Sequence, residues 1–326
     1  MTGGTNRFHI LSFDGGGIKG LFSAAVLAAI EDDLGIEVTD HFDLITGSST
    51  GGIIALGLGL GMRPRRIVEF FVEQGPKIFR NRLKLRGCIQ FVRRKFPQSP
   101  LEAALRDPKT FGERLLGESR KRLVIPSYNL GEDDVYIFKT PHHERLRRDW
   151  KVPAWTVAMA TSAAPTYFPA VRIVDGIRLI DGGVWANNPT MVGITEAVSM
   201  LGVELDRLKV LSLGTIDPLA QRPKSLNGGG LWQWRNSAID VIMRGQSLGV
   251  QKQAQLLLGK NAVHRLDPRA PDGTFLLDRI TSDELIAKAA HESRRFSPLF
   301  ASEFQSHRAS IYEPLYQREM EHVSHE

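Results

Sequence analysis

Ser49 stands in a pattern that could make it a nucleophile. The surrounding residues, Gly47-Ser48-Ser49-Thr50-Gly51, match G-x-S-x-G and follow the apolar run Phe42–Thr46. A strand, a sharp turn and a helix form the context that a nucleophile elbow requires, because small neighbours let strand and helix pass close to each other. The pattern predicts an accessible Ser49 hydroxyl, with the Thr50 N–H and the helix N-terminus available to stabilise negative charge.

A glycine-rich motif, Asp14-Gly15-Gly16-Gly17-Ile18-Lys19-Gly20, lies where a predicted strand gives way to a predicted helix. Glycines carry no side chain, so three in succession let backbone N–H groups converge on an anion at the positive end of a helix. The motif also satisfies G-x-G-x-x-G, which is typical of dinucleotide binding, but the Asp14 carboxylate would lie beside the pyrophosphate. Three interpretations remain open: a set of oxyanion donors for the elbow, a nucleotide site without chemistry, and a tight turn.

Asp181 offers a base at the end of a third predicted strand. Asp181-Gly182-Gly183 follows the apolar run Ile177–Ile180, so the carboxylate could reach across a cleft or simply lie in a turn. Asn188-Pro189 is typical of the N-cap and first residue of the next helix. An aspartate with its ordinary pKa of about 3.9 is a poor base toward a serine hydroxyl. We therefore expect burial to raise the pKa of Asp181.

Histidine is the alternative base. Serine, aspartate and histidine in that chain order, with His264 or His291 last, would fit the triad of ordinary α/β-hydrolases. None of the histidines lies in one of the three motifs. The residues alone leave open a Ser-Asp dyad, a Ser-His-Asp esterase of small esters, and a binding protein that performs no chemistry.

Strand and helix patterns alternate along the chain and must position these motifs. The predicted strands are Phe8–Phe13, Phe42–Thr46, Arg122–Val124, Val135–Phe138, Arg178–Ile180 and Leu208–Leu213. The predicted helices before residue 230 are Leu21–Leu34, Pro64–Glu73, Pro153–Thr161 and Pro189–Leu201. Such alternation favours an α/β fold with a mainly parallel sheet that is covered on both faces.

The pattern becomes mostly helical from about Leu231 onward. It predicts helices at Ser282–His291 and, interrupted by Pro298 and Pro314, at Arg294–Glu321. We expect this part to form a helical C-terminal extension that packs on the same domain. The tryptophans Trp232 and Trp234 at its start suit either an interfacial anchor or a packed helix start.

Composition limits the other kinds of site. One cysteine, Cys88, excludes an internal disulfide framework and a zinc ribbon. The N-terminus lacks the features of a signal peptide, and the uncharged run Leu44–Met62 is too rich in glycine, serine and threonine to be stable in hydrocarbon. We expect a cytoplasmic protein with no metal and no cofactor.

A basic stretch separates the elbow from the later motifs. The formal net charge of the chain is +6, and Gly75–Ser99 carries eight basic residues and no acidic one, interleaved with apolar side chains. This mixture suits contact with an anionic membrane surface. A solvated cap over the cleft is the alternative.

The three motifs together resemble those of the patatin-like phospholipases, which are lipid acyl hydrolases. The segments Asp14–Gly20, Gly47–Gly52 and Asp181–Pro189 occur in the order of that family, and Ala160–Pro165 and Leu211–Thr215 are also similar to it. The resemblance spans roughly residues 7–215. It implies a three-layer α/β/α sandwich with a mainly parallel central sheet, a catalytic core at 1–215 and a helical extension at 216–326.

The same resemblance implies the roles of the site residues. Ser49 would be the nucleophile, Asp181 the general base, and Gly15, Gly16 and Gly17 the oxyanion loop. The expected reaction cleaves fatty acyl esters of phospholipids at a membrane surface through an acyl-enzyme.

A compact core with a short extension also looks like the bacterial phospholipase effectors of anti-phage signalling. That resemblance implies activation by a cyclic dinucleotide or a related cyclic oligonucleotide. The basic balance permits such a ligand, because phosphates need cationic or N–H partners, but no residue is assigned to it. We expect peripheral association with the inner membrane when the enzyme is active and no nucleic-acid polymer as partner. The oligomeric state is left open, and a homodimer is compatible with the sequence.

Overall fold

A computed structural model of the chain describes residues 7–78, 96–172, 176–218, 224–234, 237–270 and 281–317. Within these residues, an eight-stranded mixed sheet forms the middle of three layers. The strands are β1 (Phe8–Phe13), β2 (Leu44–Gly47), β3 (Arg122–Asn129), β4 (Asp134–Lys139), β5 (Val171–Arg172), β6 (Arg178–Asp181), β7 (Leu208–Leu213) and β9 (Val263–Leu266). Two further short strands, β8 (Asp217–Pro218) and β10 (Arg269–Ala270), pair with each other.

The helices alternate with these strands along most of the chain. They are α1 (Gly20–Leu34), α2 (Thr50–Gly59), α3 (Pro64–Ile78), α4 (Ser99–Arg106), α5 (Ala154–Thr161), α6 (Gly183–Ala186), α7 (Thr190–Ser199), α8 (Leu231–Trp234), α9 (Ala238–Leu258) and α10 (Ser282–Glu303). Helix α10 ends the chain's regular structure within the described residues.

The sheet has a parallel centre and an antiparallel edge. Its order is β5-β6-β3-β2-β1-β7-β9, with β4 also paired to β3. The pairs among β3, β2, β1, β7 and β9 are parallel, whereas β4, β6 and β5 join antiparallel. A short connection between β3 and β4 forces antiparallel pairing, because parallel strands need a longer crossover. The predicted α/β fold class with a mainly parallel sheet is confirmed, and the antiparallel strands lie at one edge of the sheet.

The two faces of the sheet carry separate apolar cores. Side chains alternate along a strand, so Leu11 and Ile45 face the layer that contains α1, α2 and α10, and Ile10 and Leu44 face α7 and α9. All four of these side chains are buried. Burial on both faces explains why β1 and β2 read as continuous apolar runs.

Most of the predicted elements are present, and some differ. Strands β1 and β7 match the prediction residue for residue. The helical prediction for Arg294–Glu321 is wrong in two respects: α10 continues through Pro298, and residues 304–317 are not helical. The helix survives its proline because buried Phe296 and Phe300 pack it onto the core.

The C-terminal part also contributes to the sheet. Strand β9, which was not expected, pairs in parallel with β7 although it follows residue 215. The division of the chain at 215/216 stays a prediction. The uncharged run Leu44–Met62 forms β2, the elbow and α2, and none of the described helices is long and apolar enough to cross a bilayer.

Several segments named above lie outside the described residues. Residues 79–95 take in most of the basic stretch and Cys88, and the side chain of Trp232 is likewise not described. Trp234 is half-buried.

Candidate active site

Ser49 occupies a strained turn between β2 and α2. Its backbone has φ 55° and ψ −126°, a conformation that residues other than glycine rarely adopt. An added Cβ at Gly47 would lie 2.1 Å from the Gly51 carbonyl oxygen, and one at Gly51 would lie 2.5 Å from the Phe13 carbonyl oxygen. The glycines of the motif are therefore required by the close approach of β1, β2 and α2 at the elbow.

Ser49 and Asp181 are joined directly. The Ser49 hydroxyl donates a hydrogen bond of 2.7 Å to Asp181 Oδ2, and the Gly183 N–H donates one of 2.7 Å to Asp181 Oδ1. Asp181 stands at the end of β6 and is only 5% exposed. Burial raises the pKa of Asp181 to about 6, although the hydrogen bonds from Ser49 and Gly183 act in the opposite direction. The carboxylate is a stronger base than an exposed aspartate.

The two histidines considered as triad members have other surroundings. His264 lies on β9, with Nε2 3.6 Å from Glu303 and its ring edge-on to Phe304. His291 is exposed on α10. Among the histidines that the structure describes, none stands between the Ser49 hydroxyl and the Asp181 carboxylate.

The three glycines of the loop have different environments. The Gly15 N–H donates a 2.9 Å hydrogen bond to the Asn187 carbonyl oxygen, so it is already engaged. An added Cβ at Gly15 would lie 3.1 Å from Ser49 Cβ, which places the loop against the nucleophile. Within the described part of the chain, the N–H groups of Gly16 and Gly17 have no acceptor. Gly17 has φ 58°, the left-handed region that favours glycine.

Thr161 holds the elbow from the side of α5 and was not singled out from the sequence. Its hydroxyl accepts a 3.1 Å hydrogen bond from the Ser49 N–H and donates one of 2.6 Å to the Pro126 carbonyl oxygen. This engages the Ser49 N–H and fixes the turn on β3. The signal was available, because Thr161 lies in the family-like segment Ala160–Pro165.

Arg265 supports the glycine loop from β9. Its guanidinium donates to both carboxylate oxygens of Asp14, at 2.6 and 3.1 Å, and to the Ser212 hydroxyl at 2.8 Å. Burial lowers the pKa of Arg265, but the attraction of Asp14 and Asp267 outweighs it and the net shift is upward. The negative charge that argued against a nucleotide at this loop is thus neutralised within the protein. No sequence signal indicates this pair, whose members lie 251 positions apart.

Helix α9 packs on the loop that follows Asp181. The Asn188 N–H donates to Gln246 Oε1 at 3.0 Å, and Asn187 Nδ2 donates to the Ser247 hydroxyl at 3.1 Å. Asn188 Oδ1 in turn accepts from the Thr190 N–H, as expected of the predicted N-cap, although the helix α7 itself begins at Thr190, one residue after the predicted start. Helix α9, which follows residue 215, therefore contacts the loop after Asp181 directly.

The described residues hold no group of three or more His, Cys, Asp or Glu side chains that could bind a metal ion. The hydrogen-bonded pair Ser49 and Asp181 can attack a carbonyl, and the N–H groups of Gly16 and Gly17, in the loop whose Gly15 lies against Ser49, are free of other acceptors within the described residues and can stabilise the negative charge that results.

Comparison with known proteins also indicates a lipid acyl hydrolase. The model of the patatin-like phospholipase family matches residues 11–194. A cGAMP-activated phospholipase of Pseudomonas aeruginosa is 33% identical over 321 residues, which cover 94% of each chain. Another of that name from Vibrio cholerae is 34% identical over 297 residues, covering 82% of this chain and 83% of its own. Patatin-like protein 2 of Arabidopsis thaliana is 32% identical over 274 residues, covering 70% of this chain and 65% of its own.

The family match runs from the glycine loop through the elbow to Asp181 and beyond, and the relatives from the two bacteria extend it over most of the chain. The chain therefore belongs to the patatin-like phospholipase family and is a lipid acyl hydrolase.

Proposed function

We propose that this enzyme cleaves fatty acyl esters of membrane phospholipids through a Ser49–Asp181 dyad. The observation that carries the proposal is the direct 2.7 Å hydrogen bond from the Ser49 hydroxyl to the Asp181 carboxylate. Asp181 takes the hydroxyl proton as Ser49 Oγ attacks the ester carbonyl, and it returns that proton to the departing lysophospholipid oxygen. Water, deprotonated by Asp181, then attacks the acyl-enzyme, and Asp181 returns the proton to Ser49 Oγ as the bond to the acyl group breaks and the fatty acid leaves.

The oxyanion of each tetrahedral intermediate would be held by the Gly16 and Gly17 N–H groups. Both lack an acceptor in the described part of the chain, whereas the Gly15 N–H is bonded to Asn187. Gly15 instead allows the loop to approach Ser49 closely. Donors that are already oriented cost no reorganisation during the reaction, and one such donor is worth about 10²–10³ in rate.

A serine substitution tests the dyad. Ser49→Ala should abolish release of fatty acid from phospholipid vesicles, because no other described hydroxyl contacts Asp181. Ser48→Ala is the matched control, since it removes the same atom one residue away and Ser48 Oγ makes no hydrogen bond among the described residues. Hydrolysis of a short soluble ester but not of phospholipid by the native enzyme would favour an esterase of small esters instead. Function that survives Ser49→Ala would favour a binding protein.

We also propose that a cyclic dinucleotide switches the enzyme on, in keeping with a role in anti-phage defence at the inner membrane. The support is that two relatives named as cGAMP-activated phospholipases align with 94% and 82% of this chain. To turn a mostly resting population into a mostly active one, the ligand must favour the active arrangement by about 5 kcal/mol.

The test is hydrolysis of a fluorogenic phospholipid with and without cGAMP and a panel of other cyclic di- and trinucleotides. We expect at least a tenfold rise with one member of the panel. Full activity without any of them, or no response to all of them, would indicate a constitutive lipid acyl hydrolase.

A further inference from the structure

Helix α9 carries an apolar face that the described part of the protein leaves uncovered. Ile239 is 56% exposed, Ile242 64%, Leu256 87% and Leu257 46%. At 100° per residue these side chains project to one side of the helix. Gly245 and Gly249 lie on the same side, and a Cβ at either glycine would meet no described atom within 4 Å. We call this set the α9 face.

The α9 face carries a single charged side chain, Lys252, at its edge. The helix contains three charged residues, Asp240, Arg244 and Lys252. Arg244 turns inward and bonds to Asp267 at 2.7 Å. Asp240 projects away from the α9 face, and the exposed Lys252 lies one turn before Leu256 at the edge of the face. An ordinary solvated helix places charged residues opposite its buried stripe. Isoleucine and leucine in that position indicate a surface that is covered by an apolar partner.

Residues in the N-terminal half of the same helix, next to Ile239 and Ile242, contact the active site. Gln246 and Ser247 bond to Asn188 and Asn187. Met243 Cε lies 3.6 Å from where a Cβ on Gly183 would be, and the Gly183 N–H donates to Asp181. Because Ile239 and Ile242 flank Met243 and Gln246 around the helix, the N-terminal half of the α9 face lies beside the loop that follows Asp181. It is next to α6, whose Val184 is also exposed, at 41%.

We propose that the α9 face is the surface by which the enzyme docks on a phospholipid bilayer. Its side chains would enter the boundary between headgroups and acyl chains, as the apolar stripe of an interfacial helix does. The 21 residues of α9 span about 30 Å, which is enough for several turns to contact the lipid together. The proposal rests on the proposed function in taking a bilayer phospholipid as substrate. A lipid is favoured over a second copy of the chain because the face lies beside the loop that carries Asp181, which the substrate must reach, and because its one charge, Lys252, suits anionic headgroups.

The first test measures binding apart from chemistry. In a Ser49→Ala background, which leaves vesicles intact, flotation with phosphatidylcholine and phosphatidylcholine/phosphatidylglycerol vesicles is measured with cGAMP present. Ile239→Asp/Ile242→Asp should reduce vesicle binding at least tenfold. Ile311→Asp is the matched control: Ile311 is 89% exposed, and its neighbour Ser310 is bonded to Asp43 at the other end of β2. Control binding should equal that of the parent.

The second test measures turnover in the Ser49 enzyme. The ratio of vesicle hydrolysis to hydrolysis of a soluble short-chain ester should fall at least tenfold in the double variant and stay constant in the control. Leu256→Asp, at the most exposed position of the face, should lower the ratio in the same direction without risk to the fold.

Two results would overturn the proposal. One is a double variant that floats with vesicles as the Ile311→Asp control does. The other is a parent enzyme that sediments as a dimer and a double variant that sediments as a monomer with vesicle binding intact, which would assign the face to self-association. If Ser49→Ala were active, the dyad would fail, but the flotation result would still decide the docking surface.

Discussion

Two buried aspartates lie at opposite ends of strand β2 and differ in their chemistry. Asp43 precedes β2 and is 4% exposed, and Asp181 meets Ser49 just beyond the other end of β2 and is 5% exposed. Burial raises the pKa of both carboxyl groups. For Asp43, however, hydrogen bonds from the His307 ring and the His9 N–H outweigh burial and hold the pKa below its ordinary value. For Asp181, burial prevails and the pKa rises to about 6.

The difference comes from the partners of each carboxylate. Asp43 accepts from His307 Nε2 at 2.7 Å, from the His9 N–H at 2.8 Å and from the Ser310 N–H at 3.2 Å. Asp181 accepts from one hydroxyl and one N–H. A carboxylate with several hydrogen-bond donors anchors structure, here the segment around His307 that follows α10. A buried carboxylate with fewer donors keeps its affinity for a proton and can act as a base.

The largest expected effect is the loss of catalysis when Ser49 or Asp181 is substituted. Ser49→Ala, Asp181→Asn and the double variant should each lose about 10⁴-fold or more in kcat, with no additivity, because nucleophile and base act as a unit. Fatty-acid release from vesicles with activator present measures this. Asp43→Asn, the same substitution at the other end, serves as control. A nearly active Asp181→Asn enzyme, or an inactive but folded His264→Ala enzyme, would contradict the dyad.

The next effect concerns the charge that supports the glycine loop. Arg265→Leu would leave the Asp14 carboxylate buried without its bidentate partner, which should cost about 3–5 kcal/mol of unfolding free energy. Asp14→Asn/Arg265→Leu should recover much of that loss, because no buried charge remains unpaired. Urea unfolding of the parent, both single variants and the double variant completes the cycle. Equal losses in Arg265→Leu and the double variant would show that the pair does not act as one unit.

Replacing each aspartate by asparagine should change the free energy of unfolding in opposite directions. The pKa of Asp181 is raised, so its stabilising contribution is complete below the unfolded value of about 3.8 and is lost as pH rises through about 6. Asp181→Asn should therefore be more stable than the parent by on the order of 2–3 kcal/mol at pH 8, with the gain shrinking toward pH 4.

The pKa of Asp43 is lowered, so its contribution is present above the unfolded value and is lost as pH falls. Asp43→Asn should be less stable by about 1–3 kcal/mol at pH 7, with the loss shrinking below pH 4. Chemical unfolding of both variants across pH 4–8 measures these changes. The same sign for both variants at pH 8 would break the comparison.

The smallest effect is the pH dependence of turnover. The ionised form of Asp181 is the base, so kcat/KM should rise with pH on a limb with midpoint about 6. Below that midpoint the rate should fall about tenfold for each pH unit. A soluble ester substrate keeps vesicle charge out of the measurement. A midpoint near 4 would mean that burial does not tune this carboxylate during turnover.

Local sequence was sufficient for the central strands and for singling out Ser49 and Asp181, which a hydrogen bond joins. The apolar runs of β1 and β7 predicted both strands to the residue, because strands buried on both faces contain few polar positions. The short motifs with their glycines singled out Ser49 and Asp181 as candidates, and the resemblance of these motifs to the patatin-like family gave the two residues their expected roles. The pKa of Asp181 was expected to rise for the same reason that it does, burial.

Longer-range features required the tertiary structure. Pro298 indicated a break that packing of Phe296 and Phe300 overrides. The engaged N–H of Gly15 depends on a carbonyl at Asn187. The proline does not reveal that its helix will pack on the core, and the glycine does not reveal which distant carbonyl its N–H will meet.

Motifs within a few residues therefore pointed to Ser49, Asp181 and the family-like core, because turn geometry is a local property of the backbone. Only the tertiary structure decided that Arg265 neutralises Asp14, that β9 of the extension completes the sheet, and that α9 lies against the loop after Asp181. Each of these depends on atoms that are distant in sequence and meet through burial. Their energies come from desolvation and from pairing in space, neither of which a local pattern records.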